Sequence, residues 1–355
     1  MDDSILRIEK FRDITLTDPF FDTLKSDYPG FAEWFASKAD KEAFTFKSDI
    51  GMLEGFLFLK EEIGPVVDVT PHLSSAYRLK IGTFKINPHG TRLGERFMKR
   101  VFDTAINLGV SALYVTVFEK HNALVQLFER YGFIRTGVKI SAAGNESVYE
   151  RRLDKIVGDV VLDYPRVPIA ADRHFVLAIY PQWHSRLLPD SLLKTESASI
   201  LKDVSHTNSV HKIYLAAMQG IDQLKRGDTL LIYRTADGGS GYHTSVITSL
   251  CVVEELSHIN TYTTEKDFLE YCRPYSIFSL AELRGFYRNK KYPWVIRFTY
   301  NMALTKRPNR KMLLEEVLLP ANTYWGFFKL TTDQLKSILK ISGDYEKTRS
   351  IVYSS

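Results

Sequence analysis

Between Leu93 and Leu108 the apolar positions fall at Leu93, Phe97, Val101, Ala105 and Leu108. That four-residue stripe predicts an amphipathic helix, with Gly109 as its cap. A second helix is predicted to open at Asn122 and to close at Gly132-Phe133, its stripe formed by Ala123, Leu124, Leu127, Phe128 and Tyr131. Strands are predicted around them. Arg78 to Ile86 alternates with a kink near Gly82, and Ala112 to Phe118 is alternating and β-branched. Upstream, Ile5–Asp13, Ala43–Phe46, Leu53–Leu59 and a short piece at Val66–Val69 read as strands. Asp18-Pro19 reads as a helix start; Pro29-Gly30 splits the helical run from Phe20 to Phe35 into two helices. Phe133–Ile140 and Ser147–Leu153 close the series around the turn Ala143-Gly144-Asn145.

Beyond Asp154 the pattern changes. Pro165 and Pro168 mark a connector over 154–172 without helical period. Strands are then predicted at Phe175–Tyr180, Ile213–Ala217, Thr229–Tyr233, Val246–Leu256, Trp294–Tyr300 and Trp325–Lys329. Thr264-Glu265-Lys266-Asp267 has the form of a capped helix start, and a last helix is expected from Thr332 to about Leu339. The division is 1–153, a linker at 154–172, and 173–355.

Composition narrows the class. A chain of 355 residues is long for one core, so two domains are expected. No apolar run reaches the roughly 18 residues that span a bilayer. The acidic start, Met1-Asp2-Asp3, lacks the features of a secretory signal. Cys251 and Cys272 are the only cysteines and sit in no metal-type spacing, so neither a disulfide framework nor a metal site is expected, and a reducing cytoplasm fits.

The chemistry begins at the turn His89-Gly90-Thr91-Arg92-Leu93-Gly94, directly before the first long helix. Such a turn gathers backbone N–H groups at the positive end of a helix dipole, a geometry that captures a phosphate or pyrophosphate. With the Asn122 helix, this stretch resembles the cofactor-binding core of the GNAT acyltransferases over roughly residues 40–153. The common pattern there is arginine, glycine, any residue, glycine, hydrophobic, glycine; here His89 stands for the arginine and Arg92 for the middle glycine. Arg92 would offset the lost glycine as a charge-assisted donor. The resemblance implies a mixed-sheet α/β fold that binds acetyl-CoA as acyl donor. Phe84, Lys85 and Ile86 would meet the pantetheine arm, and the turn from His89 and Gly90 through Thr91, Arg92, Leu93, Gly94, Glu95 and Arg96 would hold the pyrophosphate. Asn122 would lie near the thioester.

The catalytic groups are harder to place. Many family members carry a tyrosine as proton donor where this chain has Phe128. Tyr131, one turn onward, is the candidate substitute; its alternative is a packing aromatic before Gly132. No carboxylate lies in the strand Arg78–Ile86, so Glu54, Glu119 and His121 are the candidate bases, each also readable as a surface residue.

In the second half, Phe175–His184 followed by Leu224–Thr235 resembles the PUA-like superfamily in its ASCH or EVE branches. That implies an α+β domain built on a small β-barrel and associated with RNA or modified bases. The signature common after the first strand is lacking, with Leu193-Lys194-Thr195-Glu196-Ser197 a remnant. Charge points the same way independently. Between Glu270 and Lys311 ten cations, among them Arg284, Arg288, Lys290 and Lys291, face only Glu270 and Glu282, an excess of about eight. Interleaved aromatics such as Tyr287, Tyr292 and Trp294 would stack on unpaired bases, unless they are core. Gly238-Gly239-Ser240-Gly241 reads as a hairpin tip with no helix after it. The combined reading is an acetyl-CoA-dependent N-acyltransferase acting on an RNA-associated or nucleotide amine presented by the second domain. Two others stay open: a protein N-acetyltransferase, and a nucleic-acid-binding regulator that senses acetyl-CoA without turnover.

Overall fold

The computed structural model describes residues 6–168, 172–194, 196, 202–348 and 351–353. The chain divides into two compact units, Met1–Val157 and Gly158–Ser355. Ile5 and the residues 169–171 of the expected linker lie outside the described residues, as do Thr195 and Ser197 of the signature remnant.

The first unit runs β1 (Arg7–Lys10), α1 (Asp22–Asp27), α2 (Phe31–Ala36), β2 (Glu42–Lys47), β3 (Leu53–Val66), β4 (Leu73–Ile86), α3 (Leu93–Leu108), β5 (Ala112–Val117), α4 (Asn122–Arg130), β6 (Ile134–Ser141) and β7 (Gly144–Arg152). Its seven strands lie in the order β1-β2-β3-β4-β5-β7-β6. Only β4 and β5 pair in parallel. Asp18 accepts the Phe20 N–H at 2.9 Å and starts a 3-10 turn that leads into α1, and Gly30, at φ +82°, separates α1 from α2. Of the predicted strand at Val66–Val69 only Val66 is strand, as the last residue of β3, and 67–69 leave the sheet in a bend. One sheet face is covered by Phe11, Phe21 and Phe35 against Phe56 and Phe58. On the other, Phe84 meets Phe97 of α3 and Phe128 of α4. Each such buried ring contributes roughly 1.5–3 kcal/mol.

The second unit contains β8 (Val167–Pro168), β9 (His174–Ile179), α5 (Pro181–Leu187), α6 (Ser205–Asn208), β10 (His211–Ala216), β11 (Thr229–Arg234), α7 (Gly241–Thr244), β12 (Val246–His258), α8 (Glu265–Cys272), α9 (Leu280–Asn289), β13 (Trp294–Ala303), α10 (Arg310–Glu315), β14 (Phe327–Leu330), α11 (Thr332–Ser342), α12 (Tyr345–Thr348) and β15 (Val352–Tyr353). Residues expected to be linker fold here. Tyr164 donates to the Tyr300 carbonyl at 2.9 Å, and Val167 pairs with Val352. The expected β-barrel is corrected: among the described residues the main sheet has six strands in the order β10-β13-β12-β11-β9-β14 and is not closed. Gly238–Gly241 leads into the single helical turn α7 rather than a bare hairpin tip. Both cysteines are free and buried, and no helix is long and apolar enough to cross a membrane among the described residues.

Candidate active site

Strands β4 and β5 stay paired only from Arg78↔Ala112 to Ile81↔Val115. Past that point β4 keeps its partner β3 as far as Ile86 opposite Gly55, and β5 keeps β7 as far as Val117 opposite Ser147. The two strands therefore part in the middle of the sheet. The parting begins at a bulge: Leu59 pairs with Ile81 but Phe58 with Thr83, leaving Gly82 as the extra residue. Glycine is needed there, since a Cβ on Gly82 would come within 2.8 Å of Phe58 Cδ1. Two strand edges that no longer exchange hydrogen bonds form a slot suited to an extended, amide-bearing chain.

The slot leads to the start of α3. A Cβ on Gly94 would touch Leu127 of α4 at 3.1 Å and Ile86 of β4 at 3.2 Å, so this glycine lets three elements converge. Gly90 and Arg92 both have left-handed backbones, at φ +82° and +60°. For Arg92, which caps α3, that conformation costs about 1–2 kcal/mol. Its Nη1 lies 2.8 Å from Glu95 Oε1, and Arg130 Nη1 reaches the same oxygen at 3.6 Å. Glu95 is buried and thus holds two guanidiniums beside the first turn of α3, with Arg96 buried next to it. Of that turn's N–H groups, that of Glu95 binds the Arg92 carbonyl at 2.9 Å. The His89 ring bridges the turn: Nδ1 donates to the Asn87 carbonyl at 2.8 Å, and Nε2 lies 2.9 Å from Thr91 Oγ1. It stands in the place of the pattern's arginine. Arg130 was not singled out in the sequence, since nothing local distinguishes the last turn of α4.

Of the other expected residues, Phe84 faces α3 and α4, whereas Lys85 points to the opposite face, donating to Thr23 Oγ1. Burial lowers the Lys85 ammonium, and Asp27 and Asp22 partly offset this. Leu93 is buried beneath the turn, and Asn122 is exposed at the first position of α4. Tyr131 is fully buried at the end of α4, its ring 6.2 Å from Phe102. Phe102 lies eight residues past Gly94, about 12 Å along α3. Tyr131 packs the interior against α3. Glu119 is tied at the surface to Arg135 (3.2 Å) and Ser147 (2.8 Å), and His121 to Asp27 (3.3 Å).

The opposite face of the slot carries a polar cluster not anticipated from sequence. Thr116, the first β5 residue beyond the parting, donates to Glu146 Oε1 at 3.2 Å, and Tyr28 donates to the same oxygen at 3.1 Å. Glu146 is 6% exposed. Tyr28 packs tilted against Phe118 at 5.1 Å, and burial together with Glu146 holds its phenol well above the ordinary value near 10.

In the second unit the expected nucleic-acid residues are largely partnered. Arg284 and Arg288 reach Glu265 at 3.4 and 3.3 Å, Lys290 lies over the Tyr287 ring at 3.6 Å, and Lys291 over Tyr292 at 5.4 Å. Arg297 pairs with Glu254 and Lys311 with Glu315. Three carboxylates from outside the segment thus reduce its local excess from eight to five. Tyr271, Tyr275, Phe286, Tyr287, Tyr292 and Trp294 are packed against the core instead of presenting open rings.

No family model and no curated protein matches the chain. Among solved structures it is similar to ASCH from Zymomonas mobilis, at 10% identity and TM-score 0.31 over 48% of this chain and 96% of that one. It is also similar to the IAA acetyltransferase from Bacillus cereus ATCC 14579 (14% identity, TM-score 0.32, 41% and 99% covered). A third is Chaetomium thermophilum Naa20 in complex with a bisubstrate analogue (14%, TM-score 0.33, 42% and 86%).

Proposed function

We propose that the first unit is an acyl-CoA-dependent N-acyltransferase, with acetyl-CoA as donor. The parting of β4 from β5, opening onto the arginine-flanked start of α3, carries this reading. The slot edges from Thr83 to Ile86 would bind the amide-bearing arm in the manner of an added strand. The first turn of α3, with Arg92 and Arg130, would take the pyrophosphate. The thioester, when bound, supplies an activated acyl carbon at the parting.

Glu146 is the group that takes the amine proton as the nitrogen bonds to the acyl carbon and the carbon–sulfur bond breaks. Both donors to Glu146 fall on Oε1, which leaves Oε2 to accept it. Tyr28 is a positioning residue. A phenol held above its ordinary value is a poor proton source for a thiolate whose conjugate acid ionises near 8.5, so the thiolate departs without it. The test is calorimetry with acetyl-CoA, then thiol release with a panel of amines. Glu146→Gln should lower kcat by roughly 10²–10⁴ while leaving acetyl-CoA affinity unchanged. Absence of acetyl-CoA binding would remove the reading; binding without thiol release from any amine would favour a sensor.

A nucleic-acid partner for the second unit is a second reading, favoured by the remaining positive excess around α9 and β13. Single-stranded RNA should then bind with steep salt dependence, weakened by reversing Arg284, Arg288 and Lys290 to glutamate. Binding indifferent to salt and to these reversals would dismiss it.

A further inference from the structure

A chain of polar side chains runs through the interior of the second unit, where an apolar core would be expected. Arg234, at the end of β11, lies 3.1 Å from Glu196 Oε1, and Ser185 donates to Glu196 Oε2 at 2.7 Å. The His184 ring joins Ser185 (3.1 Å) to Thr248 (2.7 Å). From Thr248 the chain continues through Ser249 (3.1 Å) and Ser191 (2.7 Å) to the Tyr300 hydroxyl (2.7 Å). Groups buried in this way must be hydrogen-bonded, and nearly all of these are.

The exceptions are cationic. The Nε atoms of Arg234 and of Arg307 are shielded from solvent and have no hydrogen-bond partner among the described residues. The Arg234 side chain is 6% exposed. Arg307 is held by one long bond, Nη2 to the Asp190 carbonyl at 3.4 Å. Both guanidiniums act on the same imidazole: burial first, then Arg234 and Arg307, push His184 down to about 3, so it stays neutral. Asp190, whose carbonyl Arg307 reaches, directly precedes Ser191 of the hydroxyl chain. Glu196 is the one mostly buried carboxylate ion-paired with Arg234, whose other acidic neighbour, Asp237, is exposed and 3.9 Å away. A guanidinium N–H shielded from solvent without an acceptor is costly; Glu196 already pairs with Arg234 through Nη2, and the two Nε groups are left for a further anionic acceptor.

We propose that this interior holds a binding site for a small ligand bearing an oxyanion, a phosphate or a carboxylate, gripped by Arg234 and Arg307 and oriented by the hydroxyl chain from Ser185 to Tyr300. The site is separate from the acyl-transfer slot and does not depend on it. The guanidinium fork supplies paired donors that match either oxyanion, which a lysine ammonium cannot reproduce.

The test is calorimetric titration of the full chain at constant ionic strength with inorganic phosphate and, separately, with acetate. Saturable binding of one or both is expected, and the arm that binds identifies the oxyanion. Arg307→Lys should weaken it roughly tenfold or more by removing the fork while keeping the charge. Arg234→Lys should do the same; if that variant fails to fold, Arg307→Lys decides alone. Arg92→Lys, in the first unit, should leave this affinity unchanged. Binding of neither anion overturns the proposal. So does an affinity that falls in Arg92→Lys and is unaffected in Arg307→Lys, because the anion would then sit at the start of α3.

Discussion

Burying His184 as a neutral ring ties the stability of the second unit to pH. In the unfolded chain the imidazole ionises near 6.5; in the fold, burial and then Arg234 and Arg307 hold it at about 3. Between these values the unfolded chain binds a proton that the folded one refuses, so stability rises with pH across the window and is lost as pH falls below 6.5. Each pH unit within it is worth about 1.4 kcal/mol, which gives about 2 kcal/mol lost by pH 5 and about 5 by pH 3 from this residue. His206, lowered in the same way by burial, Lys212 and Arg186, adds a similar slope. Comparison with His184→Gln isolates the first contribution, since His206 is present in both proteins. The assay is urea unfolding at pH 7.5 and pH 5 in a Trp34→Phe background. The remaining tryptophans, Trp183, Trp294 and Trp325, then all report on the second unit. His184→Gln should be less stable than the parent at pH 7.5, having lost the bond to Thr248, but its loss between the two pH values should be smaller by about 2 kcal/mol. Parallel losses in the two proteins would refute the argument, since the imidazole would then titrate alike folded and unfolded.

Tyr131→Phe should leave turnover with acetyl-CoA unchanged, whereas Tyr28→Phe should lower kcat severalfold and alter its pH profile, because the phenol positions Glu146; steady-state kinetics across pH separate the two. Arg92→Gly should raise thermal stability by roughly 1 kcal/mol through relief of the left-handed backbone, yet weaken acetyl-CoA binding through loss of the guanidinium, as paired melts and calorimetry would reveal. Gly82→Val should either unfold the first unit or close the slot against Phe58; a folded variant with wild-type acetyl-CoA affinity would show that the bulge does not form the site.

What the sequence made legible was local. The stripes from Leu93 to Leu108 and from Ala123 to Tyr131 gave both long helices of the first unit, and the Gly82 kink is a bulge as the alternation suggested. The parting of β4 from β5 was not legible, because it depends on which strand each edge pairs with, and propensity carries no such information. Nor was the left-handed Arg92, since nothing in its neighbours marks a non-glycine residue for that conformation. Glu146 and Tyr28 are 118 positions apart and meet only through the fold. Charge counting within one stretch misread the field around α9 for the same reason: Glu265 and Glu254, which pair with Arg284, Arg288 and Arg297, lie outside the stretch. The interior chain joins Arg234, Glu196, His184-Ser185, Ser191, Thr248-Ser249 and Tyr300, which meet only through the fold.

Hydrogen exchange of the full chain with and without acetyl-CoA tests the central claim most directly, because it reports where the ligand sits as well as whether it binds. Protection should concentrate in residues 82–96, with a second protected stretch at 115–122 on the other edge of the slot. Acetyl-CoA that binds while leaving both stretches unprotected, or that protects only the second unit, would contradict the assignment of the parted strands as the acyl-donor site.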